Sequence, residues 1–216
     1  RDCYNYDHIL RHRVLSEIGT AHIGLNVGYP CYSILFPTTR YISFDWFLVY
    51  GAALYEKHYT AAWPAKMELL PIGPFRIDEA SFAEAKQSAG NGDIAIFTGP
   101  FVYERAMIGF VRDLALSLPE RKILLQVKSF FRNSPSGRDY VRDCTDGLPN
   151  VIPVNDNVYD ILKNVTYSVS DPSSIVVEAM SLGRASFLAD VSSWQRSCYF
   201  REFDEILVRS GNEAGR

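Results

Sequence analysis

Cysteine is sparse and scattered in this 216-residue chain. Cys3, Cys31, Cys144 and Cys198 form no CxxC pair, which argues against a cysteine-based zinc motif or a small disulfide scaffold and fits reduced thiols in a cytosolic compartment. Charge of one sign is also lacking. With 22 Lys and Arg against 25 Asp and Glu, the net charge is −3, so broad nucleic-acid binding is not expected and any phosphate site must be local. No apolar run reaches the ~18–20 residues a bilayer span needs; the most apolar window, Trp46 to Tyr55, is interrupted by Gly51. Walker A, GxGxxG and GxSxG sequences are all missing, which removes local support for kinase, dehydrogenase and lipase chemistry. The chain opens on Arg1 without a basic-then-apolar leader, and the missing initiator Met predicts further sequence upstream.

What is present is apolar material for a core, 47% of residues against 22% charged, in an alternation of short apolar runs and helical periods. That is the pattern of an α/β fold with parallel strands buried on both faces. The expected order is helix Asp7 to Ile18, strand His22 to Val27, a Gly/Pro loop at Gly28 to Pro30, strand Trp46 to Tyr50, and a helix from about Ala52. Leu69 to Asp78, with two prolines and a glycine, reads as a segment crossing between two lobes. Beyond it the spacing predicts helix Glu79 to Ser88, strand Ile94 to Thr98, helix Tyr103 to Leu118 and strand Lys122 to Val127. A polar loop from Ser129 to Gly137 follows, the best candidate for mobility, then helix Arg138 to Thr145 and strand Val151 to Pro153. Helix Asn157 to Lys163, strand Thr166 to Ser170, helix Ser174 to Leu182 and strand Ala185 to Ala189 complete a five-stranded doubly wound domain.

The most informative segment is Ser168 to Asp190, SVSDPSSIVVEAMSLGRASFLAD. A buried strand ends in small hydroxyl residues and a helix begins among them, so Ser173 and Ser174 lie at a helix start on the carboxyl edge of the sheet. Helix-terminal N–H groups and the dipole favour an anion there. Glu178, four residues after Ser174, could face the same crevice and accept from a ribose diol. The alternative is that Asp171 or Ser173 only caps the helix and Glu178 is a solvated face residue.

These residues resemble the C-terminal lobe of GT-B glycosyltransferases, in particular bacterial enzymes of surface-polysaccharide (capsule or lipopolysaccharide) synthesis. The motif S-D-x-S-S-x-x-x-E-A-x-x-x-G, closed by a basic residue, is matched by Ser170, Asp171, Ser173, Ser174, Glu178, Ala179, Gly183 and Arg184. The segment from Ile23 to Gly51 is similar to the end of that family's N-terminal lobe, with an acceptor-side loop at Gly28 and Tyr29. Gly73, Phe75, Arg76 and Asp78 resemble its G-x-x-R-x-D passage between lobes. The resemblance implies a Rossmann-like C-lobe over residues 74–216, the end of an N-lobe over residues 1–73, and a front of that lobe, roughly a hundred residues, upstream of Arg1. It also implies that the serines contact a donor's diphosphate and the glutamate its nucleoside sugar.

Two departures from the family pattern stand out. Val27 precedes Gly28 where a histidine is usual, and Lys128 is followed by Ser129 and Phe130 where Pro-His is usual. Two expected imidazoles, the usual proton acceptors near neutral pH, are therefore missing, and the catalytic base is unassigned. Lys128, at a strand end, either neutralises a diphosphate or is a solvated lysine. Gly99 and Pro100 either admit the ligand close to the backbone or form an ordinary turn. His8 and His12 have an i, i+4 spacing that could hold a metal, but no glutamate accompanies them and no metal site is expected. Asn164-Val165-Thr166 is read as a chance sequon.

The resemblance thus implies a metal-independent transferase without a cofactor, taking a nucleotide-sugar donor and a glycan or lipid-linked acceptor. It would be cytoplasmic, with membrane association at the inner face through the part upstream. A degenerate GT-B module that binds without turnover, and less favoured a nucleotide-sugar 2-epimerase, are the alternatives.

Overall fold

A computed structural model describes residues 7–26, 42–58, 60, 63, 66–98, 105–191 and 203–215. The chain divides into two compact units, Arg1–Arg76 and Ile77–Arg216.

In the first unit, helix α1 (Asp7–Glu17) precedes strands β1 (Ile23–Leu25) and β2 (Trp46–Val49), helix α2 (Ala53–His58) and strand β3 (Glu68–Pro71). The strands form a parallel sheet in the order β1-β2-β3, with Ile23 opposite Trp46 and Trp46 opposite Glu68. Its core is aromatic. The Phe47 ring meets Tyr55 and Trp63 edge-on at 5.7 and 5.8 Å, and Phe44 stacks on Phe47 at 5.5 Å. Strand β3 corrects the reading of Leu69 to Asp78 as purely a crossing segment. Pro71 is tolerated because it ends an edge strand, and the next amide, of Ile72, still donates to the Val49 carbonyl at 2.8 Å.

The second unit runs α3 (Glu79–Gln87), β4 (Ile94–Thr98), α4 (Arg105–Ser117), β5 (Ile123–Val127), α5 (Ser129–Arg132), α6 (Pro135–Thr145), β6 (Val151–Val154), α7 (Val158–Asn164), β7 (Tyr167–Ser170), α8 (Ile175–Ser181), β8 (Ala185–Ala189), a 3₁₀ turn Asp204–Ile206, β9 (Leu207–Val208) and α9 (Gly211–Ala214). All six strands are parallel in the order β6-β5-β4-β7-β8-β9. Every residue of β4 is buried, as a central strand requires. Its alternate residues serve opposite cores: Ile94 and Ile96 pack with Phe110, Leu114 and Leu125, Ala95 and Phe97 with Leu162, Val165 and Leu182. This is the two-faced burial expected of an α/β sheet.

Two expectations about this unit need correction. The segment from Ser129 to Gly137 is largely helical, because Ser134 accepts the Gly137 amide at 3.0 Å as an N-cap and Pro135 opens α6. The sheet has a sixth strand, β9, whose two residues are too short a run to stand out in the sequence. Its connection to α9 depends on Gly211, where a Cβ would lie 2.3 Å from both the Leu114 nitrogen and the Phe110 carbonyl oxygen of α4. At the other end of the motif, Gly183 holds φ +76° just beyond α8, the left-handed step that ends a helix cheaply only at glycine.

Candidate functional site

The order of the six strands singles out one point on the carboxyl edge of the sheet before any side chain is considered. From β4 the chain moves outward to β5 and β6, then returns across β4 to β7 and moves outward the other way. Strand order reverses between β4 and β7. In open parallel sheets the loops leaving the carboxyl ends at such a point diverge and leave room for a ligand.

The residues at that point are those of the hydroxyl-rich motif. β4 ends at Thr98, whose hydroxyl accepts from the buried Tyr140 phenol at 3.3 Å. β7 ends at Ser170, which donates to the Asp171 carbonyl at 2.8 Å, and the Asp171 amide donates to the Phe97 carbonyl at 3.2 Å. Asp171 is buried. β5 ends beside them, where the Lys128 amide donates to the Thr98 carbonyl at 3.0 Å and the residue is exposed. Gly99, Pro100, Gly28 and Tyr29 lie outside the described residues.

Ser174 is the N-cap residue of α8, in a helical conformation and with no side-chain capping bond. The first amides bonded into this turn are those of Val176, to the Ser173 carbonyl at 3.3 Å, and Val177, to the Ser174 carbonyl at 3.1 Å. The amides of Ser173 and Ser174 precede that ladder, the position at which helix N–H groups have no intrahelical acceptor.

Glu178 is 4% exposed, so it is not a solvated face residue. Ser174 Oγ donates to its Oε1 at 2.9 Å and the Tyr159 phenol donates to its Oε2 at 2.7 Å. A serine hydroxyl has one proton. While Ser174 gives that proton to Glu178, it turns lone pairs toward any neighbouring anion, so an incoming phosphate must exchange this bond or rely on amides and Ser173. Tyr159 was not legible as a site residue: its partner is 19 positions away, and nothing in its own surroundings on α7 marks it.

Arg184, the basic residue closing the motif, serves a different purpose. It is 5% exposed, and its guanidinium donates to the carbonyls of Leu182 (3.1 Å), Val165 (2.9 Å), Ser88 (2.6 Å) and Ala85. It ties the end of α3 to the entry of β7. Burial lowers its pKa from the ordinary value.

Among the described residues no group of three or more His, Cys, Asp and Glu side chains is set to hold a metal ion. His8 stacks on Phe44 at 5.3 Å, and His12 contacts Ser43 and Asp45. No described helix is long and apolar enough to cross a membrane.

Comparison with known proteins identifies no matching family model and no matching curated protein. Solved structures of partial likeness include a variant of the wall teichoic acid polymerase TagF soaked with CDPG, 13% identical over 80% of this chain and 46% of that one, TM-score 0.48. The UDP-GlcNAc 2-epimerase from Neisseria meningitidis bound to UDP-GlcNAc is 16% identical over 58% of this chain and 33% of that one, TM-score 0.41. The E. coli heptosyltransferase WaaC with ADP-2-deoxy-2-fluoro heptose is 10% identical over 68% of this chain and 62% of that one, TM-score 0.41. The chain thus spans less than two thirds of the length of each.

Proposed function

We infer that the second unit binds a nucleotide sugar at the carboxyl ends of β4 and β7, and that the chain is part of a GT-B glycosyltransferase of surface-polysaccharide synthesis. The observation that carries this reading is the reversal of strand order between β4 and β7, with the Ser170 to Glu178 motif at that point. The donor's diphosphate lies against the amides of Ser173 and Ser174, with Lys128 and Asp171 at the margins, and Gly99, outside the described residues, is the further candidate contact. Glu178 faces the ribose. Amides and a lysine neutralise a leaving diphosphate without a metal ion, so transfer is metal-independent. Gly28 and Tyr29, outside the described residues, are the acceptor-side loop for a glycan or lipid-linked sugar. The protein acts in the cytoplasm at the inner face of the membrane.

A second reading, a module that binds without turnover, is favoured by one feature. Lys128 leads directly into α5, whose residues Ser129–Arg132 include no imidazole where the resembled family has one. A 2-epimerase is less supported, since it needs several carboxylates toward the sugar and the motif from Ser170 to Arg184 supplies only Asp171 and Glu178.

Calorimetric titration with UDP, GDP, CDP and CMP compounds, paired with donor hydrolysis, tests both. Binding of one nucleoside diphosphate with hydrolysis of its sugar conjugate supports the transferase, and binding without hydrolysis or transfer supports the module. No binding by any member of the panel defeats the site.

A further inference from the structure

The first unit carries a polar cluster that the nucleotide site does not use. Three segments converge at the amino edge of its sheet: α1 contributes His8 and His12, His22 directly precedes β1, and Ser43 to Asp45 directly precede β2. Phe44 is buried there, stacked against His8 at 5.3 Å and meeting the edge of His22 at 4.8 Å. The residues on either side of it both reach one imidazole. Ser43 Oγ lies 2.6 Å from His12 Nδ1, and Asp45 Oδ1 lies 3.4 Å from His12 Nε2. The other Asp45 oxygen accepts the His22 amide at 2.7 Å, which fixes the carboxylate.

Proton positions follow from these partners. A neutral His12 with a lone pair on Nε2 would set that lone pair against a carboxylate, so the proton sits on Nε2 and Nδ1 is the acceptor. The Ser43 hydroxyl then donates to Nδ1. Nucleophile, base and orienting carboxylate are thus joined in sequence, the arrangement by which a serine is activated. The cluster is reachable from solvent: the Asp45 side chain is 40% exposed, that of His12 15%, and Ser43 is half-buried.

We propose that Ser43 is an activated nucleophile toward small acyl esters, with His12 as its general base and Asp45 as the residue that positions the ring. In the acylation step the Ser43 Oγ–carbonyl carbon bond forms while the hydroxyl proton passes to His12 Nδ1. The ester C–O bond then breaks, and the departing alcohol takes that proton. Water repeats the sequence on the acyl-serine, releasing the carboxylic acid and restoring the hydroxyl.

The carboxylate beside His12 is kept charged. Asp45 is held below the usual carboxylate range, chiefly by the His22 amide bond. Burial, with His12, Arg11 and His8 nearby, lowers the pKa of His22 against the opposing effect of Asp45. The His22 ring centroid lies 5.7 Å from that of His12.

The test treats the intact protein with diisopropyl fluorophosphate, which loses fluoride as the serine oxygen bonds to phosphorus, and maps the adduct by peptide mass spectrometry. The expected result is an adduct on Ser43 that is absent in Ser43→Ala. His12→Gln, which can still hydrogen-bond but cannot accept the proton, should slow labelling roughly 10²- to 10⁴-fold. Asp45→Asn should lower the maximal inactivation rate about tenfold or more, leaving the reagent's apparent affinity unchanged, a split that a purely structural role would not produce. Amide exchange protection of α1 shows that each variant retains its fold. No adduct on Ser43, or unchanged labelling in a folded His12→Gln protein, overturns the proposal.

Discussion

The phenol of Tyr159 donates to Oε2 of Glu178 across 2.7 Å, joining α7 to α8 through a carboxylate whose other oxygen is bonded to Ser174. Glu178 is therefore a structural residue whatever else it does. Replacing it with Ala leaves two hydroxyls without their acceptor and should cost roughly 2–4 kcal/mol of stability, read from urea denaturation. Glu178→Gln, which keeps the shape, should remain within about 1 kcal/mol of the parent while weakening nucleoside diphosphate binding by ~1–3 kcal/mol. Unchanged affinity in Glu178→Gln would remove it from the ribose site.

The two serines should not be equivalent. Ser174 gives its proton to Glu178, whereas Ser173 is half-buried and not committed to that carboxylate. Ser173→Ala should lower nucleoside diphosphate affinity more than Ser174→Ala does, and both should affect the diphosphate more than the nucleoside. Calorimetry on the parent and both variants with each of the two ligands checks this; equal losses for nucleoside and diphosphate would place the phosphates elsewhere.

Arg184→Met should be among the most damaging single changes in the second unit. It leaves the carbonyls of Val165, Leu182, Ala85 and Ser88 without their donor, at about 1–3 kcal/mol for each carbonyl that water cannot reach. An expected loss of ~3 kcal/mol or more is measurable by urea denaturation, and Arg184→Lys, with a single ammonium, should recover only part of it.

Helix α1 should loosen in mild acid. His22 has its pKa lowered from 6.5, first by burial and then by His12, Arg11 and His8, so the unfolded chain binds the proton more readily than the folded one. Stability from this group is present above pH 6.5 and declines as pH falls below that value. Hydrogen exchange should show α1 equally protected at pH 8 and pH 7 and progressively less so toward pH 5.5, with protection of β4 and β5 unchanged over the same range.

Cys144 should be unreactive in the native protein. Burial pushes its thiol up to about 12, which leaves almost no thiolate at neutral pH. Peptide mapping after iodoacetamide should find Cys144 unmodified in buffer and modified in denaturant.

The local patterns of the chain determined much of this protein. Ile94 to Thr98 and Ala185 to Ala189 are strands to the residue, because an apolar run between turn signals has one good way to bury itself in a parallel sheet. Helices α3 and α7 begin where Asp78 and Asn157 can accept early amides. The cluster of serines after β7 was equally visible, since it depends on neighbours in sequence. What only the tertiary structure decided is which distant groups meet. Tyr159 finds Glu178 because α7 and α8 contribute to the same core layer of the sheet. Arg184 finds Ala85 across 99 positions, and Ser43 finds His12 across 31. Periodicity reports the face a residue turns to the core; its partner there is set by strand order and crossover, which no short window of sequence contains.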